Sequence, residues 1–408
     1  MSATMLVAVR RRLGFANMAF VLAATVLAAT VFFTGSMHAQ TLSVIYNFTG
    51  GQDGAYPVAG LVGDAAGALY GTTKYGGLVK CSGGCGVAFK LDLTGKVKVL
   101  HRFAGVLGDG SNPGAGLVRD KAGNLYGSTT LGGNSGLGVV FKVDSANAET
   151  IIHSFVGADG AYPSTLIRDA AGNFYGTTID GGASANGVVF MVNSAGTETV
   201  LHSFDGPPID GVYSFAGLVR DAAGNLYGTT SAGGSSGHGT VFTVDSTGQE
   251  TVLHSFAGVP ADGAFPYTGL IADQAGNLYG TTSSGGTVNT DCGSSGCGVI
   301  FKVDLAGTET VLHRFGGATD GFNPEGVLLR DREGNLYGTT ANGGSLGFGV
   351  VFKLDRRGKM TVLHTFAGAP SDGALPFSGL IRDAAGNFYG TTSSGGASGN
   401  GVVFKLSP

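Results

Sequence analysis

The stretch DAAGNLYGTTSAGG, residues 221–234, contains the pattern that decides the fold. Its Asp and its Gly-Asn pair are typical of a tight turn between two strands, because Asp caps a type I turn and Gly or Asn accepts a positive φ. The core of this stretch, Y-G-[ST]-T-x-x-G-G, occurs seven times, beginning at Tyr70, Tyr126, Tyr175, Tyr227, Tyr279, Tyr337 and Tyr389. Consecutive copies begin 49 to 58 residues apart, which is the period of a repeat architecture.

Each repeat contains four short segments. An Asp ends the first segment, six residues before each Tyr: Asp64, Asp120, Asp169, Asp221, Asp273, Asp331 and Asp383. The third segment is a G-V-V-F-K-V-like run centred on Phe89, Phe141, Phe190, Phe242, Phe301, Phe352 and Phe404. The fourth, commonly V-L-H-S-F, ends at Phe48, Phe103, Phe155, Phe204, Phe256, Phe315 and Phe366. Four strands per repeat, joined by tight turns and without helical periodicity, predict the blades of a β-propeller.

The two ends of the repeat region are out of phase with each other. The last repeat ends with its third segment, residues 402–406, and lacks a fourth. Before the first repeat, residues 42–48 form an unpaired segment of the fourth type. Pairing of these two segments would complete the last blade and remove an exposed sheet edge. We therefore predict an all-β, seven-bladed propeller of four-stranded antiparallel blades, closed by its N-terminal strand. A linear β-solenoid is the competing architecture, but it would not need ends that are out of phase.

The repeat D-A-A-G-N-L-Y-G-T-T-x-x-G-G-x-x-G-x-G-V-V-F-K resembles the GloVer (Gloeo–Verruco) tandem repeat of exported bacterial proteins, many of which carry a C-terminal anchor. Residues 221–234 match that pattern almost throughout, and similar copies cover about residues 44–408. The resemblance implies a propeller-like bacterial protein that is secreted or held at the cell surface.

The first 39 residues differ from the rest of the chain. Arg10 to Arg12 precede an uncharged, mostly apolar run over residues 18–33, and a short polar stretch follows. This order is typical of a secretory signal peptide. We predict cleavage after Ala39, which leaves residues 40–408 as a single exported propeller without a membrane span, located outside the cell, in the periplasm or on the surface. An uncleaved anchor is the alternative, although the run is shorter than the roughly 20 residues of a membrane-spanning helix.

Composition excludes some partners. Gly supplies 75 of 408 residues, only 13% of residues are charged, and the net charge is −4 with His neutral. A nucleic-acid partner is not expected, because phosphate contacts need a basic face. We expect a monomer whose unknown extracellular ligand is a glycan or a protein.

The four Cys occur in the two repeats with the longest Tyr-to-Phe spacing. Cys81 and Cys85 are in the first repeat, and Cys292 and Cys297 in the fifth. These repeats would lie on opposite sides of a seven-bladed ring, so the spacing predicts two local disulfides rather than one four-Cys zinc site. We predict no metal site and no cofactor.

Most His residues belong to the repeat. Six occupy one slot, where Tyr46 stands in the first copy: His101, His153, His202, His254, His313 and His364. Such repetition predicts packing rather than catalysis. His238 is the exception, because it lies in a loop of the fourth repeat.

Ligand-binding residues are expected on the face that holds the loops between second and third strands and the crossings between blades, or at the mouth of the channel. Seven Asp-Gly pairs mark the crossings, at Asp53, Asp109, Asp159, Asp210, Asp262, Asp320 and Asp372. They would form either an acidic ring for cationic ligands or simply the turns that shape each crossing. Lys74, Tyr75 and His238 are the other candidates.

We predict no catalytic residue. The polar residues outside the repeat pattern are few and scattered: Lys74, Lys80, Asp180, Asp205, His238, Asp291 and Glu325. The sequence thus favours a non-catalytic binding or scaffold module. The alternatives are an extracellular hydrolase or lyase that acts on a polysaccharide in the central cleft, and a structural cell-surface protein.

Overall fold

The computed structural model describes residues 40–105 and 108–408, of which Leu42–Ser407 form one compact unit. The predicted signal peptide, residues 1–39, lies outside the described residues. Within the described ranges all regular structure is β-strand, as predicted. The same ranges contain no helix that is long and apolar enough to cross a membrane.

Seven antiparallel sheets, each with four consecutive strand positions, form the blades. The first strands are Val62–Gly63, Val118–Arg119, Ile167–Arg168, Val219–Arg220, Ile271–Ala272, Leu329–Arg330 and Ile381–Arg382. The second strands are Leu69–Thr73, Leu125–Thr129, Phe174–Asp180, Leu226–Thr230, Leu278–Thr282, Leu336–Thr340 and Phe388–Thr392. The third strands are Val87–Leu91, Val139–Val143, Val188–Val192, Thr240–Val244, Val299–Val303, Val350–Leu354 and Val402–Ser407. The fourth strands are Val97–Arg102, Glu149–Ser154, Glu198–Ser203, Glu250–Ser255, Glu309–Arg314, Met360–Thr365 and, from the N-terminal end, Thr41–Asn47.

The N-terminal strand closes the ring as predicted. Thr41–Asn47 lies beside Val402–Ser407 and becomes the fourth strand of the seventh blade. The amide of Phe48 then donates a hydrogen bond to the carbonyl of Gly401 (3.0 Å). A linear solenoid is therefore excluded.

Short strand pairs hold the crossings against the loops between second and third strands. They are Gly110–Ser111 with Leu131–Gly132, Gly211–Val212 with Ala232–Gly233, Gly263–Ala264 with Ser284–Gly285, and Gly373–Ala374 with Ser394–Gly395; in the third blade Ala161–Pro163 pairs with the extended second strand. Single bridges, Ala55 with Tyr75 and Phe322 with Asn342, replace them in the first and sixth blades. Both kinds of loop therefore lie on one face of the propeller.

Aromatic pairs join neighbouring blades. The Phe after each fourth strand meets the Phe of the next third strand edge-to-face, with ring centroids 5.0–5.3 Å apart; the pairs are Phe48–Phe89, Phe103–Phe141, Phe155–Phe190, Phe204–Phe242, Phe256–Phe301, Phe315–Phe352 and Phe366–Phe404. These Phe side chains are fully buried. Each such pair stabilises its junction by about 0.5–1.5 kcal/mol beyond the burial of apolar area. The same stabilising contact is therefore present at all seven junctions.

The Gly of each Tyr-Gly motif is required by this packing. A Cβ on Gly228 would lie 2.6 Å from Cζ of Phe242 and 2.8 Å from Cδ2 of Leu218. The six equivalent Gly residues show the same close approach of a Phe Cζ, at 2.6–2.8 Å: Gly71, Gly127, Gly176, Gly280, Gly338 and Gly390. Any side chain at this position would push the interface ring out of its place.

The opposite face carries the tight turns. In the fourth blade, Asp221 accepts hydrogen bonds from the backbone and side chain of Asn225 and from the hydroxyl of Tyr227. Burial alone would raise the pKa of the Asp221 carboxyl, but these hydrogen bonds outweigh it and lower that pKa. The repeated Asp, Asn and Tyr are thus parts of one turn structure.

Both predicted disulfides are present, Cys81–Cys85 and Cys292–Cys297. Cys85 and Cys297 are fully buried. Cys85 packs with Phe103, and Cys297 packs with Phe315, in the hydrophobic clusters at blade junctions. Each bridge therefore ties its loop to the core.

We predict that Gly228→Ala lowers the free energy of unfolding by about 1–3 kcal/mol, the usual cost of overpacking a filled core. Gly63→Ala is the matched control, because a Cβ there meets no atom nearer than 3.9 Å. Urea unfolding of the full chain measures both. Equal stability of the two variants would contradict the interpretation.

We also predict that the variant carrying both Cys81→Ser and Cys292→Ser keeps the propeller fold. Each bridge closes a very short loop, so its loss should cost about 2 kcal/mol or less. Circular dichroism and a thermal melt measure the outcome. A melt that is no longer cooperative would show that the bridges hold the fold together.

Candidate functional site at the channel mouth

One position of the crossing lines a cavity at the mouth of the central channel in six of the seven repeats. It follows the Pro of the crossing, or Ser214 in the fourth repeat, and is occupied by Val58, Gly114, Ser164, Phe215, Tyr267, Glu325 and Phe377. Six of these residues line a cavity of about 420 Å³, and the seventh, Ser164, is buried beside Thr177. The residue type changes from copy to copy while the flanking residues repeat, so the cavity is asymmetric.

Aromatic rings dominate this cavity. We call the group Tyr56, Tyr75, Phe215, Tyr267 and Phe377 the aromatic cup. Its rings meet in two edge-to-face pairs, Tyr56 with Tyr75 (5.6 Å) and Phe215 with Tyr267 (5.3 Å). Phe215 is 41% exposed and Tyr267 is 39% exposed, so the cup offers open aromatic surface to a ligand.

Two charged side chains complete the lining, Lys74 and Glu325. The ammonium of Lys74 lies 5.6 Å from the centroid of the Tyr75 ring. Burial raises the pKa of Glu325 to about 7. Burial, with the charge of Glu325, also raises the pKa of Tyr267. At neutral pH the Glu325 carboxyl can therefore either donate or accept a hydrogen bond.

A strained backbone presents the cup. The residue before the Pro, or before Ser214, has a left-handed conformation in all seven crossings, with φ between 53° and 61°: Tyr56, Asn112, Tyr162, Tyr213, Phe265, Asn323 and Leu375. This conformation costs a residue with a side chain about 1–2 kcal/mol. At Tyr213 the amide donates to Asn186 of the preceding blade, and the carbonyl accepts from Ser231 of its own blade. These hydrogen bonds link three segments and hold the crossing in place.

The seven Asp of the Asp-Gly pairs lie away from the cup. Asp210, for example, accepts a hydrogen bond from the amide of Asp205 (2.8 Å) and lies 3.0 Å from Nε2 of His202. Four others lie against a His in the same way: Asp159 with His153, Asp262 with His254, Asp320 with His313 and Asp372 with His364. Asp53 instead accepts a hydrogen bond from the Tyr46 hydroxyl. Between the first and second blades, Oδ1 of Asp109 lies 3.4 Å from Nε2 of His101, which makes no hydrogen bond among the described residues. None of the seven is among the residues that line the cup. A direct role in ligand binding stays a prediction for all of them.

The other candidates separate into two groups. Lys74 and Tyr75 belong to the cup. His238 does not, because its ring lies 5.7 Å from that of Phe265 and its carbonyl accepts a hydrogen bond from the Phe265 amide. Sequence reasoning missed Tyr56, Phe215, Tyr267 and Phe377. The available signal was a position that varies inside a segment that otherwise repeats.

The fold and the cavity define a seven-bladed β-propeller with an aromatic pocket at one end of its channel. The family model of the Gloeobacter/Verrucomicrobia repeat matches residues 79–292 and 287–408. The chain therefore belongs to the Gloeobacter/Verrucomicrobia repeat family, as its sequence pattern predicts. None of the curated proteins matches the sequence.

Similar solved structures include two of the extracellular domain of BT4673 from B. thetaiotaomicron, described as a one-component system in one and as a hybrid two-component system in the other. Their TM-scores are 0.54 and 0.57, with 11% and 12% identity over 86% and 90% of this chain. The chain spans 38% and 40% of the length of those domains. A gluconolactonase from Xanthomonas campestris is similar at 13% identity and a TM-score of 0.45, covering 91% of this chain and 90% of its own. The likeness to the BT4673 domains concerns the fold alone.

We predict that Glu325→Gln stabilises the protein at pH 8 by up to about 2 kcal/mol but changes little at pH 5. The pKa of the Glu325 carboxyl is about 7 in the folded protein, whereas the ordinary value of a Glu, 4.5, applies to the unfolded chain. The folded protein therefore binds the proton more tightly, and this contribution to stability is lost as pH rises from 5 to 8. Urea unfolding at both pH values measures it, with the exposed Glu333→Gln as control. A gain at pH 8 that the control shares would contradict the assignment.

Proposed function

We propose that the protein is an exported, non-catalytic binding module whose aromatic cup holds a glycan. The observation that carries this proposal is the cup itself, where the sevenfold repeat departs from symmetry to place five aromatic rings around one cavity. Aromatic rings present an apolar face that the C–H face of a sugar can cover, and Tyr adds a polar hydroxyl.

The size and shape of the cavity favour a glycan over a protein partner. A concave site of about 420 Å³ is within the range of pockets that bind small ligands. In its lining, Lys74 supplies a hydrogen-bond donor, and Glu325 supplies a group able to act as donor or acceptor. A sugar residue, with hydroxyls around an apolar ring, matches this combination.

Export is part of the proposal. Two disulfides fit an oxidising compartment, and the similar BT4673 structures are of an extracellular domain. The pattern of residues 1–39 supports the same location. Periplasmic and surface-bound forms are both compatible with these observations.

A hydrolase or lyase that acts on a polysaccharide is the second candidate. The observation that favours it is Glu325, whose pKa of about 7 suits a proton donor or acceptor at neutral pH. Among the residues that line the cup, however, Glu325 is the only carboxylate. Most glycoside hydrolases use a pair of carboxyl groups, so the lining fits binding better than hydrolysis.

We predict that the full chain binds at least one member of a panel of soluble polysaccharides and cell-wall glycans. The double variant Phe215→Val and Tyr267→Val should weaken this binding about 10- to 100-fold, since each stacking contact is worth roughly 0.5–1.5 kcal/mol. Val is chosen because Val58 occupies the same position in the first repeat. Affinity electrophoresis and titration calorimetry measure the effect.

Tyr213→Asn is the matched control. Tyr213 is 44% exposed on the same face but does not line the cup, and Asn112 and Asn323 already occupy the equivalent position. Binding that survives the double variant would overturn the assignment of the cup. Product formed from a bound glycan, and lost in Glu325→Gln, would favour the enzyme instead.

A further inference from the structure

Four repeats begin their fourth strand with a partly buried Glu, which lies near the Asp and His of the preceding junction. These residues are Glu149, Glu198, Glu250 and Glu309. The other three fourth strands carry Val97, Met360 and Leu42 at the equivalent position, packed against the junction clusters. An apolar residue therefore fits this place, and the four Glu residues need a separate explanation.

The junction between the first and second blades gathers His101, Asp109 and Glu149. Nε2 of His101 lies 3.4 Å from Oδ1 of Asp109 and 3.9 Å from Oε1 of Glu149. The Glu149 side chain is only 12% exposed. Within the described part of the chain, Nε2 of His101 and Oε1 of Glu149 are both buried and have no hydrogen-bond partner. Leaving such atoms unpaired is costly, so a ligand is expected between them.

The spacing of these atoms matches a metal site. Zinc binds His nitrogen and carboxylate oxygen at about 2.0–2.2 Å, which sets neighbouring ligand atoms of a tetrahedron about 3.4 Å apart. The observed separations of 3.4 and 3.9 Å are close to this value. One imidazole and two carboxylates are also a donor set that divalent transition metals accept.

We propose that His101, Asp109 and Glu149 bind a divalent transition-metal ion of the zinc class at this junction. The ion would neutralise the two carboxylates and satisfy both unpaired atoms. It would join a fourth strand, a crossing and the fourth strand of the next blade. The site departs from the sequence-based expectation that the protein has no metal.

Two further junctions bring the same three residue types together, His202 with Asp210 and Glu250, and His254 with Asp262 and Glu309. In these groups Nε2 of the His lies 3.0 and 3.3 Å from the Asp carboxylate, within hydrogen-bond distance. Their His nitrogen is already paired. We therefore expect the tightest site at His101 and weaker binding at the other two.

The repeat itself supplies test variants, because other copies already carry a different residue at the two positions. Glu149→Met reproduces the residue of the sixth blade, Met360, and His101→Tyr reproduces Tyr46, whose hydroxyl bonds Asp53 at 2.9 Å. Both changes remove one proposed ligand while keeping an arrangement that the fold already uses. His313→Tyr is the matched control, because its junction carries Met360 in place of Glu.

The experiment titrates Zn²⁺ into the tag-free full chain at pH 7.5 after treatment with a chelator, by calorimetry and by metal analysis of the dialysed protein. We expect saturable binding whose tightest site weakens more than about 100-fold in Glu149→Met and in His101→Tyr, since even outer-shell partners of a metal are worth 10- to 100-fold. His313→Tyr should bind as the native chain does.

Circular dichroism of each variant verifies that the propeller is folded. No saturable binding by the folded native chain would overturn the proposal and leave a proton shared between Asp109 and Glu149 as the explanation. Zinc binding that is unchanged in both variants would overturn it as well, because the metal would then lie elsewhere.

Discussion

The edge-to-face contact between two Phe rings at each blade junction is the constraint on which the rest of the structure depends. The ring that ends a fourth strand must reach the third strand of the next blade, so one blade cannot bury its face without its neighbour. The Gly of the Tyr-Gly motif then follows, because the ring lies where a Cβ would be. The ring of blades closes for the same reason. Without the N-terminal strand, Phe48 could not cover Phe89, and the first blade would expose its core.

This repeated contact allows little variation in sequence at the residues that form it. The positions that vary between copies lie elsewhere in the repeat. The paired Phe residues and the Gly of the junctions, and the Asp and Tyr of the tight turns, are the same in all seven copies, since a change in one has to fit the same neighbours. The position after each Pro faces the channel rather than a blade, and it holds anything from Gly114 to Phe377. The left-handed residue before the Pro keeps the backbone of every crossing alike. A constant backbone with variable side chains is well suited to building a ligand pocket.

The sequence predicted the fold because strand count, turn type and closure are all carried by local patterns that occur seven times. Repetition also predicted that the six repeat His residues pack within the blades, and each of them meets a Phe ring edge-to-face. It could not predict the aromatic cup, because Tyr56, Phe215 and Tyr267 come from separate blades and meet only once the ring is closed. The Asp residues of the Asp-Gly pairs show that a regular pattern in the sequence does not by itself indicate a binding site. They form a regular series in sequence, yet each is bonded within its own crossing rather than turned toward the channel.

The blade junctions show a second departure from sevenfold symmetry, independent of the cup, because the position at the start of the fourth strand holds Glu in four blades and an apolar residue in three. In four blades, a Glu at the start of the fourth strand lies partly buried near an Asp of the preceding crossing. At Glu250, burial first and the charge of Asp210 second raise the pKa of the carboxyl to about 7. At pH above 7 such a group weakens the junction, whereas Met360 at the equivalent place has no such cost. Because closure ties every blade to two neighbours, an unfavourable junction is held in place by the favourable ones. The ring can therefore retain charged groups at its junctions.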